Sequence, residues 1–292
     1  MTRALDLATY PSVVLLAIAV QLGLLAVSAP PPAAAYGAVA VGAVAIVALE
    51  AVRPHRRAWR PERSTVVADG AFLVVVQMLL PFLASSAVVF VTAELVDGQV
   101  PGTGGLWPHG WPTLGQVVLM LVVGDFFRYW LHRAFHADTR LWRLHAVHHS
   151  PHGLYWLNVG RFHPLEKAVQ LLVDSLPFVV LGVDRRVLAG YFVFYAVNGF
   201  FQHSNCRVRL GWGNYVLSGP ELHRWHHSRR IEESDHNFGN NLIVWDVLFG
   251  TRFLPSDRQV EELGLLNRQY PTGFGSQLLT PFRPDLDKAP SP

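Results

Sequence analysis

Apolar residues dominate the first half of the chain, in stretches long enough to cross a bilayer. Residues 11–29 and 33–49 carry no charged side chain, and two further runs cover residues 65–95 and about 114–131. Roughly 20 consecutive apolar residues make a transmembrane helix. The pattern therefore predicts four spanning helices, the first of them retained rather than cleaved as a signal peptide.

Two shorter apolar runs follow, at 168–182 and 187–201, separated by three charged residues. Each is short for a span, so we expect a shallow helical hairpin that leaves and returns on one side; a tilted crossing is the alternative. The predicted fold class is all-α, an integral membrane helical bundle of about four spanning helices plus this hairpin. We divide the chain into transmembrane helices at 1–113, a catalytic domain at 114–254 and a C-terminal tail at 255–292.

Composition supports the membrane assignment. Hydrophobic residues make up 51% and charged residues 15% of the 292 residues, whereas soluble domains carry about 25% charged residues. Five arginines lie in the loop at 53–63, and the loop at 96–113 has no Lys or Arg. This asymmetry predicts that the first loop is cytoplasmic and the second lies outside. Although the net charge is +3, the arginines flank apolar runs, so we expect no nucleic-acid partner. A single cysteine, Cys206, excludes disulfides and thiolate metal sites.

Histidines cluster directly after the fourth apolar run. Three boxes have helical spacing: His132 and His136; His145, His148 and His149; and His223, His226 and His227. Two more histidines, His163 and His203, lie between the second and third boxes. Residues three and four apart share a helical face, and imidazole suits iron, zinc, copper and nickel. With 14 histidines in the chain, two H-x-x-H-H matches by chance are expected on the order of once in two thousand such sequences. We expect the clusters to meet as a metal site on the cytoplasmic side, carried by a helical cap.

Other residues accompany these boxes. They are Asp125 and Tyr129, His163-Pro164, His203-Ser204, Asn237-Phe238-Gly239, and Trp245-Asp246 with Phe249-Gly250-Thr251. Over residues 115–254 the combination resembles the three histidine boxes of the fatty acid hydroxylase/sterol desaturase superfamily. Only His203 lies shortly before the third box, where sphingolipid acyl hydroxylases place an extra histidine pair. The resemblance therefore favours the sterol-oxidase-like, general bacterial branch.

The resemblance implies a non-haem di-iron centre, in which zinc could replace iron on purification. Its ligands would be the ten histidines named above, and His152 and His236 are left open. Four residues are candidates for accepting a hydrogen bond from the ligand ring nitrogen that does not bind metal: Asp125, Glu166, Asn237 and Asp246. Aromatic residues beside the boxes could line a path for a lipid from the bilayer or form an interfacial belt: Trp130, Trp142, Tyr155, Trp156 and Trp225.

The implied reaction uses O2 to hydroxylate or desaturate a lipid C–H bond, in a multi-pass protein of the bacterial inner membrane. The chain has no G-x-G-x-x-G fingerprint, cysteine set or haem-attachment motif. A ferredoxin or a cytochrome b5-like protein with its reductase would have to supply electrons. The arginines at 53–63 and Arg229-Arg230 either dock such a donor or orient the chain in the membrane.

Two other functional classes compete with the oxygenase. A zinc-dependent membrane hydrolase needs about three protein ligands and an open position, far fewer than this chain offers. A metal transporter or a non-catalytic metal-binding protein would need ligands within its spans, whereas these histidines follow the end of a span. We therefore favour the oxygenase.

Overall fold

Helices build the whole of the described architecture. The computed structural model describes residues 2–84, 106–283 and 286. Within these residues there is no β-strand, and extended backbone pairs only at isolated bridges such as Pro54 with Cys206. The predicted all-α fold class is confirmed.

Four long helices correspond to the four predicted spans. They are α1 (Thr2–Ala26), α2 (Pro31–Val52), α3 (Arg63–Ala84, with a π-helical stretch at Leu73–Leu79) and α4 (Thr113–Ala137). Each is long and apolar enough to cross a membrane. Large apolar side chains such as Leu15, Leu22 and Val44 are more than half exposed, as lipid-facing positions are. The predicted end of the third run at 95 and the outer loop up to residue 105 lie outside the described residues.

Shorter helices carry the rest of the chain. Side-chain caps start three of them. Asp138 accepts hydrogen bonds from the amides of Arg140 and Leu141, Asp184 accepts one from Arg186, and His163 accepts one from Leu165. In chain order the shorter helices are α5 (Thr139–His149), α6 (Pro164–Asp174), α7 (Leu176–Val180), α8 (Arg185–His203), α9 (Pro220–His226), α10 (Ile231–Ser234), α11 (Val244–Phe249) and α12 (Phe274–Gln277).

The hairpin formed by α6, α7 and α8 packs along α4. Its tip packs Phe178 against Trp107, with ring centroids 5.7 Å apart. Gly190 of α8 packs so closely on Val117 that an added Cβ would lie 3.1 Å from that side chain. Both contacts lie at the end of α4 remote from His132. The hairpin therefore extends along most of α4, because its apolar residues are buried against that helix, although α8 is not among the four candidate spans.

One end of the bundle collects the histidines and the chain's N-terminal end. The amide of Arg209 donates to the carbonyl of Asp6 at 3.1 Å, and the amide of His55 donates to the carbonyl of Asn205 at 2.7 Å. The start of α1, the end of α2 and the segment after His203 therefore meet. This agrees with the predicted placement of the N-terminus and the histidines on one side.

Candidate metal centre

Nine of the ten predicted histidine ligands converge into two adjacent groups. The five-histidine group contains His132, His136, His145, His149 and His226. The four-histidine group contains His148, His203, His223 and His227. Within each group the ligand nitrogens all lie within 4.8 Å of one another. The groups touch where His149 stacks on His227, with ring centroids 4.4 Å apart.

Helical geometry divides each H-x-x-H-H box between the two groups. In α5, His145 and His149 are four residues apart and share the five-histidine group, while His148 points to the other group. The third box has the reverse division, with His223 and His227 in the four-histidine group and His226 in the five-histidine group. Each box thus contributes to both groups and fixes them side by side.

The ring nitrogens face one another at the spacing of neighbouring ligands on one metal ion. The Nε2 atoms of His132 and His145 are 3.0 Å apart, those of His145 and His149 are 3.2 Å apart, and those of His203 and His223 are 3.0 Å apart. Nitrogens bound about 2.0–2.1 Å from a common ion, at right angles to each other, would be separated by about 3 Å.

Hydrogen bonds on the far side of the rings suit the form in which these facing nitrogens carry lone pairs. His132 Nδ1 donates to the carbonyl of Phe238 at 2.8 Å, and His145 Nδ1 donates to Glu166 Oε1 at 2.7 Å. A neutral imidazole whose Nδ1 donates has an unprotonated Nε2. Two lone pairs 3.0 Å apart repel unless a cation lies between them. The nitrogens of this pair therefore fit a bound metal ion.

Burial keeps the histidines neutral. Burial, reinforced by neighbouring histidines, lowers the pKa of six of them well below the ordinary value of 6.5: His145, His148, His149, His223, His226 and His227. A metal ion requires the neutral form of imidazole. The chain therefore presents these ligands already deprotonated.

Three side chains orient ligands directly, and the sequence indicated one of them. Glu166, which was predicted, accepts from His145. Asp235 accepts from His136 Nδ1 at 2.9 Å, and the amide oxygen of Asn158 accepts from His203 Nδ1 at 2.8 Å. The sequence offered a weak signal for Asp235, in the acidic stretch beside the third box, and none for Asn158.

The other three predicted supporting residues act at a distance from the rings. Asp125 accepts hydrogen bonds from the amides of Asn241 and Leu242. Asp246 accepts from the amides of Phe238 and Gly239 at 2.8 and 2.7 Å, which fixes the carbonyl that His132 uses. The third, Asn237, adopts a positive φ of 58° and bonds the carbonyls of Leu222 and Phe253. These residues hold the loop that closes over the five-histidine group.

His163 lies apart from both groups. Its Nδ1 caps α6 by accepting from the amide of Leu165, and its Nε2 donates to the carbonyl of Leu278, both at 3.2 Å. Both ring nitrogens are therefore engaged elsewhere, which separates His163 from the ten-ligand set that was predicted. His152 is exposed, and His236 contributes only its backbone carbonyl to His226.

Only one of the five predicted path aromatics packs against the histidines. The Trp142 ring lies 5.1 Å from His136 and 5.2 Å from His149. The others pack elsewhere: Trp130 on Phe249, Tyr155 on Asp69, Trp156 on Phe200 and Trp225 on Phe253.

A cavity of about 210 Å³ adjoins the five-histidine group. His136, His149 and Trp142 line it, together with Ala137, Thr139 and the segments at 228–235 and 264–266. No residue of the four-histidine group lines it. The five-histidine group is therefore the more accessible of the two.

Comparisons with known proteins agree with this geometry. The fatty acid hydroxylase family model matches residues 117–251. The chain is 32% identical to the ornithine lipid hydroxylase OlsE of Rhizobium tropici, over 85% of this chain and 75% of that protein. It is 26% identical to the alkylglycerol monooxygenase of Danio rerio and 32% identical to that of Homo sapiens.

The alkylglycerol monooxygenase matches are partial. They cover 67% and 44% of this chain, but only 42% and 28% of the fish and human proteins. No solved structure matches the chain. Because the match to the ornithine lipid hydroxylase spans most of both proteins, the chain belongs to the fatty acid hydroxylase superfamily and is a membrane oxidoreductase of the lipid hydroxylase type.

Proposed function

We propose that the protein uses a pair of iron ions, O2 and electrons from another protein to hydroxylate a lipid C–H bond. The observation that carries this proposal is the convergence of nine buried imidazoles in two adjacent groups. Nine neutral nitrogens exceed what a zinc hydrolase needs. The lipid hydroxylases among the relatives favour hydroxylation over desaturation at the same centre.

The pair of irons would supply the reduction of O2 and the oxidation of the C–H bond. One oxygen atom enters the lipid and the other leaves as water, so each turnover needs two electrons and two protons from outside. The chain's own contribution is to hold and orient the ligands. Glu166 and Asp235 place carboxylates behind two histidines of the five-histidine group, which raises the basicity of those ligands. The proposed ligand set is the nine grouped histidines, without His163.

The cavity beside Trp142 is our proposed entry for the lipid. Its volume of about 210 Å³ holds only part of a membrane lipid. Its walls combine apolar side chains, such as Leu265, with Arg229 and Asp235. It lies beyond the end of α4, at the level expected for a membrane surface. We place that surface on the cytoplasmic side of a bacterial inner membrane, from the arginine-rich loop that ends α2. Ornithine-containing lipids and ether lipids are the first substrates to assay, since these are the ones that the relatives' names specify.

An external electron donor, such as a ferredoxin or a cytochrome b5-like protein with its reductase, completes the proposal. Arg229 and Arg230 form ion pairs with Glu262 and Glu261 at 2.6 and 2.7 Å, which reduces their attraction for an acidic partner. The three arginines at positions 57, 60 and 63 are exposed at the same end of the bundle as the histidines. We propose this arginine surface for docking of the donor.

Metal counting and isotope labelling test the proposal together. The protein is produced anaerobically with iron, and the metal per chain is measured. It is then supplied with ferredoxin, its reductase and labelled O2, and incubated with ornithine lipids or alkylglycerols. We expect two irons per chain and one labelled oxygen atom per product. Replacing both His226 and His227 by alanine should abolish both results. The exposed His152→Ala is the matched control and should change neither. Full metal content in the double variant would overturn the proposed ligand set.

A further inference from the structure

Asp69 is a fully buried carboxylate near the start of α3. The rest of this helix presents apolar side chains such as Val67, Val74 and Met78 outward. An ionisable group within a membrane helix is costly and is retained where it pairs with a specific partner. Asp69 touches none of the nine grouped histidines, so ligation does not account for it.

The two oxygens of Asp69 bind the two ends of one short segment, residues 155–161. Tyr155 donates its hydroxyl to Oδ2 at 2.6 Å, and Arg161 donates its Nε to Oδ1 at 2.6 Å. Arg161 is itself 2% exposed. The same segment lies directly on α3, because a Cβ added to Gly160 would be 3.3 Å from the Cα of Leu73. Asp69 thus fixes the segment to the helix at both ends.

This segment holds two of the four histidines in the four-histidine group. The carbonyl of Arg161 accepts from His148 Nδ1 at 3.2 Å, and Asn158 accepts from His203 Nδ1 at 2.8 Å. Among the described residues, no hydrogen bond joins this segment to a ring of the five-histidine group. Four of its members are supported by Glu166, Asp235 and the carbonyls of Phe238 and His236, all outside residues 155–161.

We propose that Asp69 is a positioning residue for the four-histidine group alone. Through Tyr155 and Arg161 it sets where the segment places its two hydrogen-bond acceptors, and so the direction of the two ring nitrogens. This inference rests on the proposed metal pair. It adds a specific consequence: substitution of Asp69 in α3 should weaken metal binding at the four-histidine group and leave binding at the five-histidine group unchanged.

The matched control is Asp174→Asn. Asp174 is 4% exposed and pairs with the buried Arg128 at 3.3 Å. Like Asp69→Asn, this substitution removes the charge opposite a buried arginine and costs stability. Within the described residues, Asp174 has no hydrogen-bonded path to the four-histidine group. Its partner Arg128 acts instead on Glu166, which supports the five-histidine group. Any loss of fold that affects metal binding in general would therefore appear in both variants.

The test is a titration of the metal-free, full-length protein with Co²⁺, whose absorption bands report nitrogen coordination. Two reference variants, His226→Ala and His227→Ala, identify the bands of the five- and four-histidine groups. We expect Asp69→Asn to bind one Co²⁺ normally and the second about 10- to 100-fold more weakly, with the lost bands matching those lost in His227→Ala. Asp174→Asn should bind the ion of the four-histidine group with wild-type affinity.

Tyr155→Phe keeps the test decisive if Asp69→Asn fails to fold. It removes one hydrogen bond to Asp69 and leaves the ion pair, so we expect a smaller weakening of the same binding event. Equal weakening of both events in the Asp69 or Tyr155 variant, or no weakening, would overturn the assignment. A wild-type protein that binds fewer than two ions would instead overturn the proposed metal pair.

Discussion

Removing the carboxylate behind His145 should weaken metal binding in a graded manner. The His145 Nδ1–Glu166 Oε1 distance is 2.7 Å, and both side chains are at most 2% exposed. Burial raises the pKa of Glu166 to about 8, and a cation bound by His145 favours the ionised carboxylate. Glu166→Gln keeps an oxygen acceptor but loses that negative charge. Glu166→Ala loses both, and leaves the Nδ1–H of His145 and the side-chain amide of Gln170 without this acceptor.

The expected magnitudes follow from these contacts. A hydrogen bond to a charged group contributes about 1.5–3 kcal/mol, against about 1 kcal/mol for a neutral one. The glutamine variant should therefore lose about 1 kcal/mol, or roughly fivefold in affinity for one metal ion. In the alanine variant the buried donor lacks a partner and the ring is free to turn, which should cost about 10- to 100-fold.

Chelator competition with Fe²⁺ under anaerobic conditions measures these affinities. Glu261→Gln is the control, because Glu261 forms an exposed ion pair with Arg230 and such pairs contribute about 0–1 kcal/mol. Its metal affinity should equal that of the wild type. If the alanine variant also binds both ions as tightly as the wild type, Glu166 does not support a ligand and the reasoning is refuted.

Three further outcomes are expected. His163→Ala should retain both metal ions in a metal count and lose about 0.5–2 kcal/mol of unfolding free energy in a denaturant melt, because His163 caps α6; loss of a metal would return it to the ligand set. His226→Ala and His227→Ala should each lose a different metal ion, seen as different spectra, and identical spectra would contradict the two-group division. Leu265→Trp should fill the cavity and reduce lipid hydroxylation on the order of 100-fold at unchanged iron content. The control Leu279→Trp, at an exposed position, should leave the hydroxylation rate unchanged. Full activity of the Leu265 variant would exclude this entry route.

The positions of the long helices were predictable from the sequence, because an apolar run is a property of neighbouring residues. Apolar runs of sufficient length predicted α1, α2 and α4. The structure begins and ends these helices near the ends of the runs, except that α1 starts earlier, at Thr2, and α4 continues to Ala137. The packing of the α6–α8 hairpin along α4 was not evident from the sequence, because it depends on contacts such as Phe178 with Trp107. Run length alone does not reveal those contacts. Whether the hairpin is shallow or crosses the membrane stays a prediction.

The residues that hydrogen-bond the histidines were also only partly predictable from the sequence. Glu166 follows His163 closely and was named from the sequence. Asn158 and Asp235 reach their histidines only after the chain folds, across 45 and 99 positions respectively. His163 is the opposite case. Its position between the histidine boxes led to its assignment to the metal site, but in the structure its side chain caps α6.

The sequence by itself determined that this is a helical membrane protein with histidine boxes at the end of its fourth span, because apolar length and helical spacing are properties of neighbouring residues. Only the tertiary structure decided how the boxes combine. In each H-x-x-H-H box helical spacing keeps the first and third rings in one group and points the second ring to the other group. Which rings of α5 and α9 share a group depends on the packing of α5 on α4, of α9 on α8 and of α4 on α8, and these helices lie far apart along the chain.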